Sequence, residues 1–104
     1  MKRILNGKRY DTATATEIAS WKNGLSSNDF HYCEETLYRT KNGAFFLVGE
    51  GGALSAYSQS CGNNSSCGGS ELLPLSEKEV REWLEDHDCT DELEELFGSG
   101  IIDA

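Results

Sequence analysis

The stretch Glu35-Thr-Leu-Tyr-Arg-Thr-Lys-Asn-Gly-Ala-Phe-Phe-Leu-Val48 sets the architecture of this chain. Two runs rich in aromatic, aliphatic and threonine residues flank Asn42-Gly43, the pair that supplies the positive φ angles of a two-residue hairpin turn. Such a turn predicts Thr40 opposite Phe45 and Tyr38 opposite Leu47 on one face. It places Arg39 opposite Phe46 and Leu37 opposite Val48 on the other, because side chains alternate with a period of two. Large apolar groups on both faces put this hairpin at the centre of an antiparallel sheet.

On its C-terminal side, Gly49-Glu-Gly-Gly52 reads as a turn that ends the strand; it lacks the Lys-Ser/Thr of a phosphate loop. Ala53 to Ser60 is ambiguous between a helical turn and a strand, and Cys61 to Ser70 reads as a Gly-, Asn- and Ser-rich loop. Leu72-Leu-Pro-Leu75 fits an edge strand, where a proline's missing donor is tolerated. Ser76-Glu-Lys-Glu79 is a capping-box pattern. The helix it starts carries Val80, Trp83, Leu84 and His87 on one inward stripe. A second short helix begins near Thr90, carries Leu93, Leu96 and Phe97, and stops at Gly98.

Towards the N-terminus, Asn6-Gly7 predicts a short opening hairpin. Asp11 or Thr12 caps a predicted helix from Ala13 to Lys22, with Thr14, Ile18 and Trp21 at helical spacing and Gly24 as its stop. The fold expected is therefore α+β: a small antiparallel sheet packed against an N-terminal helix and two acidic C-terminal helices. At 104 residues it forms one domain over 1–104.

The net charge of −9 is unevenly placed. From Ser76 to Ala104 there are eleven acids against Lys78 and Arg81, which alone accounts for −9. The first 25 residues hold five cations against Asp11 and Glu17. Exposed like charges three or four apart on a helix repel by about 0.2–0.5 kcal/mol per pair, so stability does not favour this density. One helical turn repeats carboxylates at about 5.4 Å, against about 3.4 Å per strand step for duplex phosphates. An acidic helix pair can thus occupy a basic nucleic-acid groove as a DNA mimic. The candidate partner-binding residues are Glu77, Glu79, Glu82, Glu85, Asp86, Asp88, Asp91, Glu92, Glu94 and Glu95.

His31-x-Cys33, His87-x-Cys89 and Cys61-x₅-Cys67 offer soft ligands, and four of them in a tetrahedron would make a zinc-stabilised interaction or regulatory module, the alternative reading. None has the usual Cys-x₂₋₄-Cys spacing, so no metal site and no cofactor are expected. Glu34 and Glu35 alternate across a strand and form no acid/base dyad; no nucleophile elbow or metalloprotease helix occurs, so no catalytic residues and no enzyme are expected. Lys2, Arg3, Lys8 and Arg9 on one small hairpin would give only weak, salt-sensitive nucleic-acid affinity. They are expected to lie near the acidic helices and offset them. No apolar run reaches the roughly 18 residues of a membrane span, and no apolar stretch follows the basic start, so a cytoplasmic protein with reduced thiols is expected.

Tyr10-Asp-Thr12, Glu35-Thr-Leu-Tyr-Arg39, Gly43-Ala-Phe-Phe-Leu-Val-Gly-Glu-Gly-Gly52, Pro74-Leu-Ser-Glu-Lys-Glu79, Arg81-Glu-Trp83 and Phe97-Gly98 together resemble a group of small uncharacterised proteins of bacterial phages and mobile elements. In size and charge the chain is similar to anti-CRISPR proteins. That resemblance implies a non-enzymatic inhibitor of a nucleic-acid-binding host defence complex. Its partner would be a protein with a basic nucleic-acid-binding surface, a CRISPR effector foremost, with no direct nucleic-acid or membrane contact.

Overall fold

In the computed structural model, which describes residues 1–104, eight strands precede two helices. The strands are β1 (Lys2–Leu5), β2 (Lys8–Asp11), β3 (Thr16–Lys22), β4 (Cys33–Arg39), β5 (Phe45–Gly51), β6 (Gln59–Gly62), β7 (Ser65–Cys67) and β8 (Gly69–Leu75). The helices are α1 (Glu77–Asp86) and α2 (Thr90–Phe97), followed by a 3-10 turn at Gly98–Gly100. β3-β4-β5-β8 form a four-stranded antiparallel sheet in that order, and β1-β2 and β6-β7 are separate two-stranded ribbons.

Strands make up 41% of the chain and helix 20%, and both helices are C-terminal, so the fold is mostly sheet and the expected N-terminal helix does not exist. Residues 16–22 are instead the edge strand β3. A β-bulge between Glu17 and Ala19 explains the false signal. The extra residue brings Ile18 to the same side as Ala19 and Trp21, and all three pack on one core. Apolar side chains at 18 and 21 then imitate the i, i+3 spacing of a helix. Thr12, Thr14 and Thr16, β-branched residues that fit a pleated strand better than a helix, point the other way.

β4 and β5 do occupy the centre of the sheet, but their register differs by one from the expected one. Leu37 faces Leu47, Tyr38 faces Phe46 and Arg39 faces Phe45. Lys41 joins Asn42 and Gly43 in a three-residue loop closed by Thr40 N–H donating to Ala44 O at 2.8 Å and Gly43 N–H donating to Thr40 O at 2.9 Å. Only Gly43 is left-handed there, at φ +89°. That is the type I turn with a left-handed third residue that three-residue hairpins adopt. The Asn6-Gly7 turn, by contrast, has both residues at positive φ, 51° and 75°, and closes a true two-residue loop.

Each face of the sheet has its own cover. Leu37, Phe45 and Leu47 are buried beneath Val80, Trp83 and Leu84 of α1, with Leu93, Leu96 and Phe97 at the margin. On the opposite face Phe46 and Leu72 are buried beneath Tyr10 of the β1-β2 ribbon. Phe46 stacks on Tyr38 at 5.2 Å and meets Tyr10 edge-on at 5.7 Å. Each such buried side chain contributes about 1.5–3 kcal/mol. β8 is an edge strand containing Pro74, as read from the sequence.

The glycines at 49–52 serve close approach rather than a turn. A Cβ on Gly49 would lie 1.8 Å from the Tyr57 ring, and one on Gly52 would lie 2.5 Å from the carbonyl oxygens of Asp29 and Phe30. The segment read as a loop after Cys61 holds the β6-β7 ribbon, turned by Asn64 at φ 57°.

Candidate partner-binding surface

Ser76 caps α1 as its sequence demands: Glu79 N–H donates to Ser76 Oγ at 3.2 Å and Ser76 N–H donates to Glu79 Oε1 at 3.0 Å. The Ser76 N–H, and then its hydroxyl, hold the Glu79 carboxyl below the ordinary glutamate range. At the other end, Cys89 N–H donates to Leu84 O at 2.9 Å and Asp88 N–H to Glu85 O at 3.2 Å. This pair of bonds is a Schellman motif, with Asp88 left-handed at φ 55° where glycine is the common choice. It ends α1, and α2 starts at Thr90 after the three residues His87, Asp88 and Cys89.

A carboxylate on the sheet fixes the orientation of α1. Glu35 lies on the Leu37 face of β4, and its side chain is mostly buried. It accepts from Trp83 Nε1–H at 3.0 Å and from the Tyr57 hydroxyl. His87 Nε2 is 3.7 Å from the same carboxylate, and its ring stacks on Trp21 at 4.6 Å and meets Trp83 edge-on at 4.5 Å. Burial and the Glu35 bond push the Tyr57 hydroxyl far up, so it remains a donor. With Tyr57, Trp83 and His87 all turned to it, the Glu35 carboxylate acts as an anchor. Burial, and then the Glu35 charge, raise the Cys33 thiol and disfavour the thiolate a nucleophile needs.

With the inward stripe fixed in this way, the acids point out. Glu77, Glu79, Glu82, Glu85, Asp86, Asp88, Asp91, Glu94 and Glu95 are exposed and Glu92 is half-buried. The molecule has one Lys/Arg ion pair, Lys22 with Glu34 at 3.8 Å, beside the contact of His87 with Glu35 at 3.7 Å. None of the ten helix acids takes part in either. Arg81 lies over the Phe97 ring at 5.6 Å instead of pairing with an acid. Glu77 and Glu79 in the first turn of α1, and Asp91 and Glu92 in that of α2, favour their helices through the dipole. Glu82, Glu85 and Glu94 border a groove of about 400 Å³ between the helices that also exposes Leu93 and Phe97.

The basic ribbon does not offset these acids. It covers the opposite face of the sheet, where Arg3 Nη1 donates to Leu72 O at 2.8 Å. The two charge signs are therefore held apart by the thickness of the sheet. The six candidate zinc ligands do not converge: no three His, Cys, Asp or Glu side chains form a metal-holding group. Glu34 points to the other face of β4 from Glu35 and accepts from the Tyr32 hydroxyl, raising that group to about 12.

The ten acids were legible from the sequence. The anchor that Glu35 forms with Tyr57, Trp83 and His87 was not, although Glu35 falls two residues before Leu37, a spacing that puts both on one face. No helix is long and apolar enough to cross a membrane. Comparison with protein-family models, curated proteins and solved structures finds no match in any of the three.

Proposed function

We propose that this protein is a stoichiometric inhibitor of the anti-CRISPR kind, which binds the basic nucleic-acid-binding surface of a host defence complex with its α1-α2 face. The observation that carries this reading is the set of ten acids on two short helices and their connection, nine exposed and Glu92 half-buried, none paired with a cation in the chain. Left alone, these charges repel; against a Lys/Arg-rich surface, they attract and steer association. The packing beneath them, from Leu84 to the Glu35 anchor, holds α1 on the sheet and presents its acids to a partner that otherwise reads phosphates.

The test is affinity capture from a host lysate containing CRISPR effectors, with washes at low salt and at about 0.5 M, where exposed charge interactions are largely screened. The expected result is recovery of a nucleic-acid-binding complex that is lost at high salt and displaced by its own DNA. Capture indifferent to both salt and DNA would remove the acidic face from the interaction.

A further inference from the structure

The tips of two hairpins meet around a cleft that none of the α1-α2 acids lines. The Asn6-Gly7 turn and the Thr40–Ala44 loop border a cleft of about 430 Å³. Lys8, Arg9 and Lys41 line it together with the hydroxyl-bearing Thr14 and Thr40, and no acid lines it. In a chain of net charge −9, three cations collect here, and none of them forms an ion pair.

Two further details suit an anion. Thr40 Oγ1 accepts from Ala44 N–H at 3.0 Å, which leaves the hydroxyl proton to be donated elsewhere. The Lys41 and Asn42 amides, at the turn of the loop, make no hydrogen bond within the chain. Charged side chains, a free hydroxyl and unpaired backbone N–H groups around one cleft are the donor set that recognises phosphate oxygens. The cations on the hairpin are then not a counterweight to the acidic helices but a separate feature with its own ligand.

We infer that this cleft binds a phosphate group, held by Lys8, Arg9 and Lys41 with the Thr40 loop. The phosphate can come from a free or nucleotide phosphate or from a nucleic-acid backbone, and the chemistry is shared. This inference uses none of the α1-α2 acids, so it stands or falls apart from the inhibitor reading.

The test is a titration of ¹⁵N-labelled full-length protein with inorganic phosphate at constant ionic strength, followed by amide shifts. The expected result is a saturable change confined to Gly7–Tyr10, Thr14 and Thr40–Ala44. The exposed double variant R9A/K41A should keep the wild-type spectrum elsewhere and bind at least about tenfold more weakly, as loss of charge-assisted bonds requires. Repeating the titration with a short single-stranded oligonucleotide separates the sources. Much tighter binding than inorganic phosphate assigns a polymer backbone, and equal binding per phosphate assigns a free phosphate. A linear, unsaturable drift of all amides, or an unchanged response in R9A/K41A, would overturn the proposal.

Discussion

The two faces of the four-stranded sheet solve the same packing problem with opposite surfaces. On one, two helices bury Val80, Trp83 and Leu84 against Leu37, Phe45 and Leu47 and carry nine exposed acids and the half-buried Glu92. On the other, a four-residue-stranded ribbon buries Tyr10 against Phe46 and Leu72 and turns Lys2, Lys8 and Arg9 outward. Burial needs only one stripe of a helix or one side of a ribbon, so the sequence is free on the remaining side. The sign of the charge there differs between faces, and packing does not account for that difference. The helix face also has a polar anchor, Glu35 with Trp83, Tyr57 and His87, while the ribbon face relies on aromatic contact and a single Arg3 bond.

The strongest way to break the comparison is through its cores. Phe46→Ala should cost about 3–5 kcal/mol and Leu84→Ala about 2–5 kcal/mol in urea unfolding, since both side chains are fully buried. Faster amide exchange in Lys2–Asp11 for the first, and in Glu77–Phe97 for the second, would show that each face holds its own cover. A smaller effect is expected of Gly49→Ala, whose new methyl group collides with the Tyr57 ring; overpacking of this kind costs about 1–3 kcal/mol. Displacing Tyr57 should also disturb the anchor and shift the fluorescence of Trp83.

Ser76→Ala should cost about 1 kcal/mol by thermal melting, through loss of the cap. The same cap carries a pH signature. Because folding lowers the Glu79 carboxyl, its contribution is present above the ordinary glutamate value and is lost as pH falls through the lowered one. Glu79→Gln should flatten that acid limb of a stability curve. The opposite sign is expected at Asp88, where a left-handed side-chain-bearing residue stands in a glycine position. Asp88→Gly should raise the melting temperature by the equivalent of up to about 1 kcal/mol.

Local chemistry was readable where one or two residues dictate a geometry. Asn6-Gly7, the Ser76-Glu79 capping box, the Val80-Trp83-Leu84 stripe and the Pro74 edge strand all form as their residues require. What escaped depends on irregularity or distance. The bulge before Ala19 made a strand look helical, and Gly43 alone at positive φ moved the central register by one residue. Asp88 ends α1 without the glycine that would have marked the spot. The separation of cations from acids, and the gathering of Glu35, Tyr57 and His87, follow from strand order. Contacts between positions 35, 57 and 87 leave no mark in sequence spacing.

The most direct measurement uses the surface variant E82K/E85K/E94K/E95K, in which every changed residue is exposed and lies outside the first turn of its helix. Its stability should stay within about 0.5 kcal/mol of the parent, as expected of surface changes. Tested against the complex captured by the parent protein, it should lose binding altogether at low salt. Binding as strong as the parent's, by a variant that is folded to the same extent, would contradict the account.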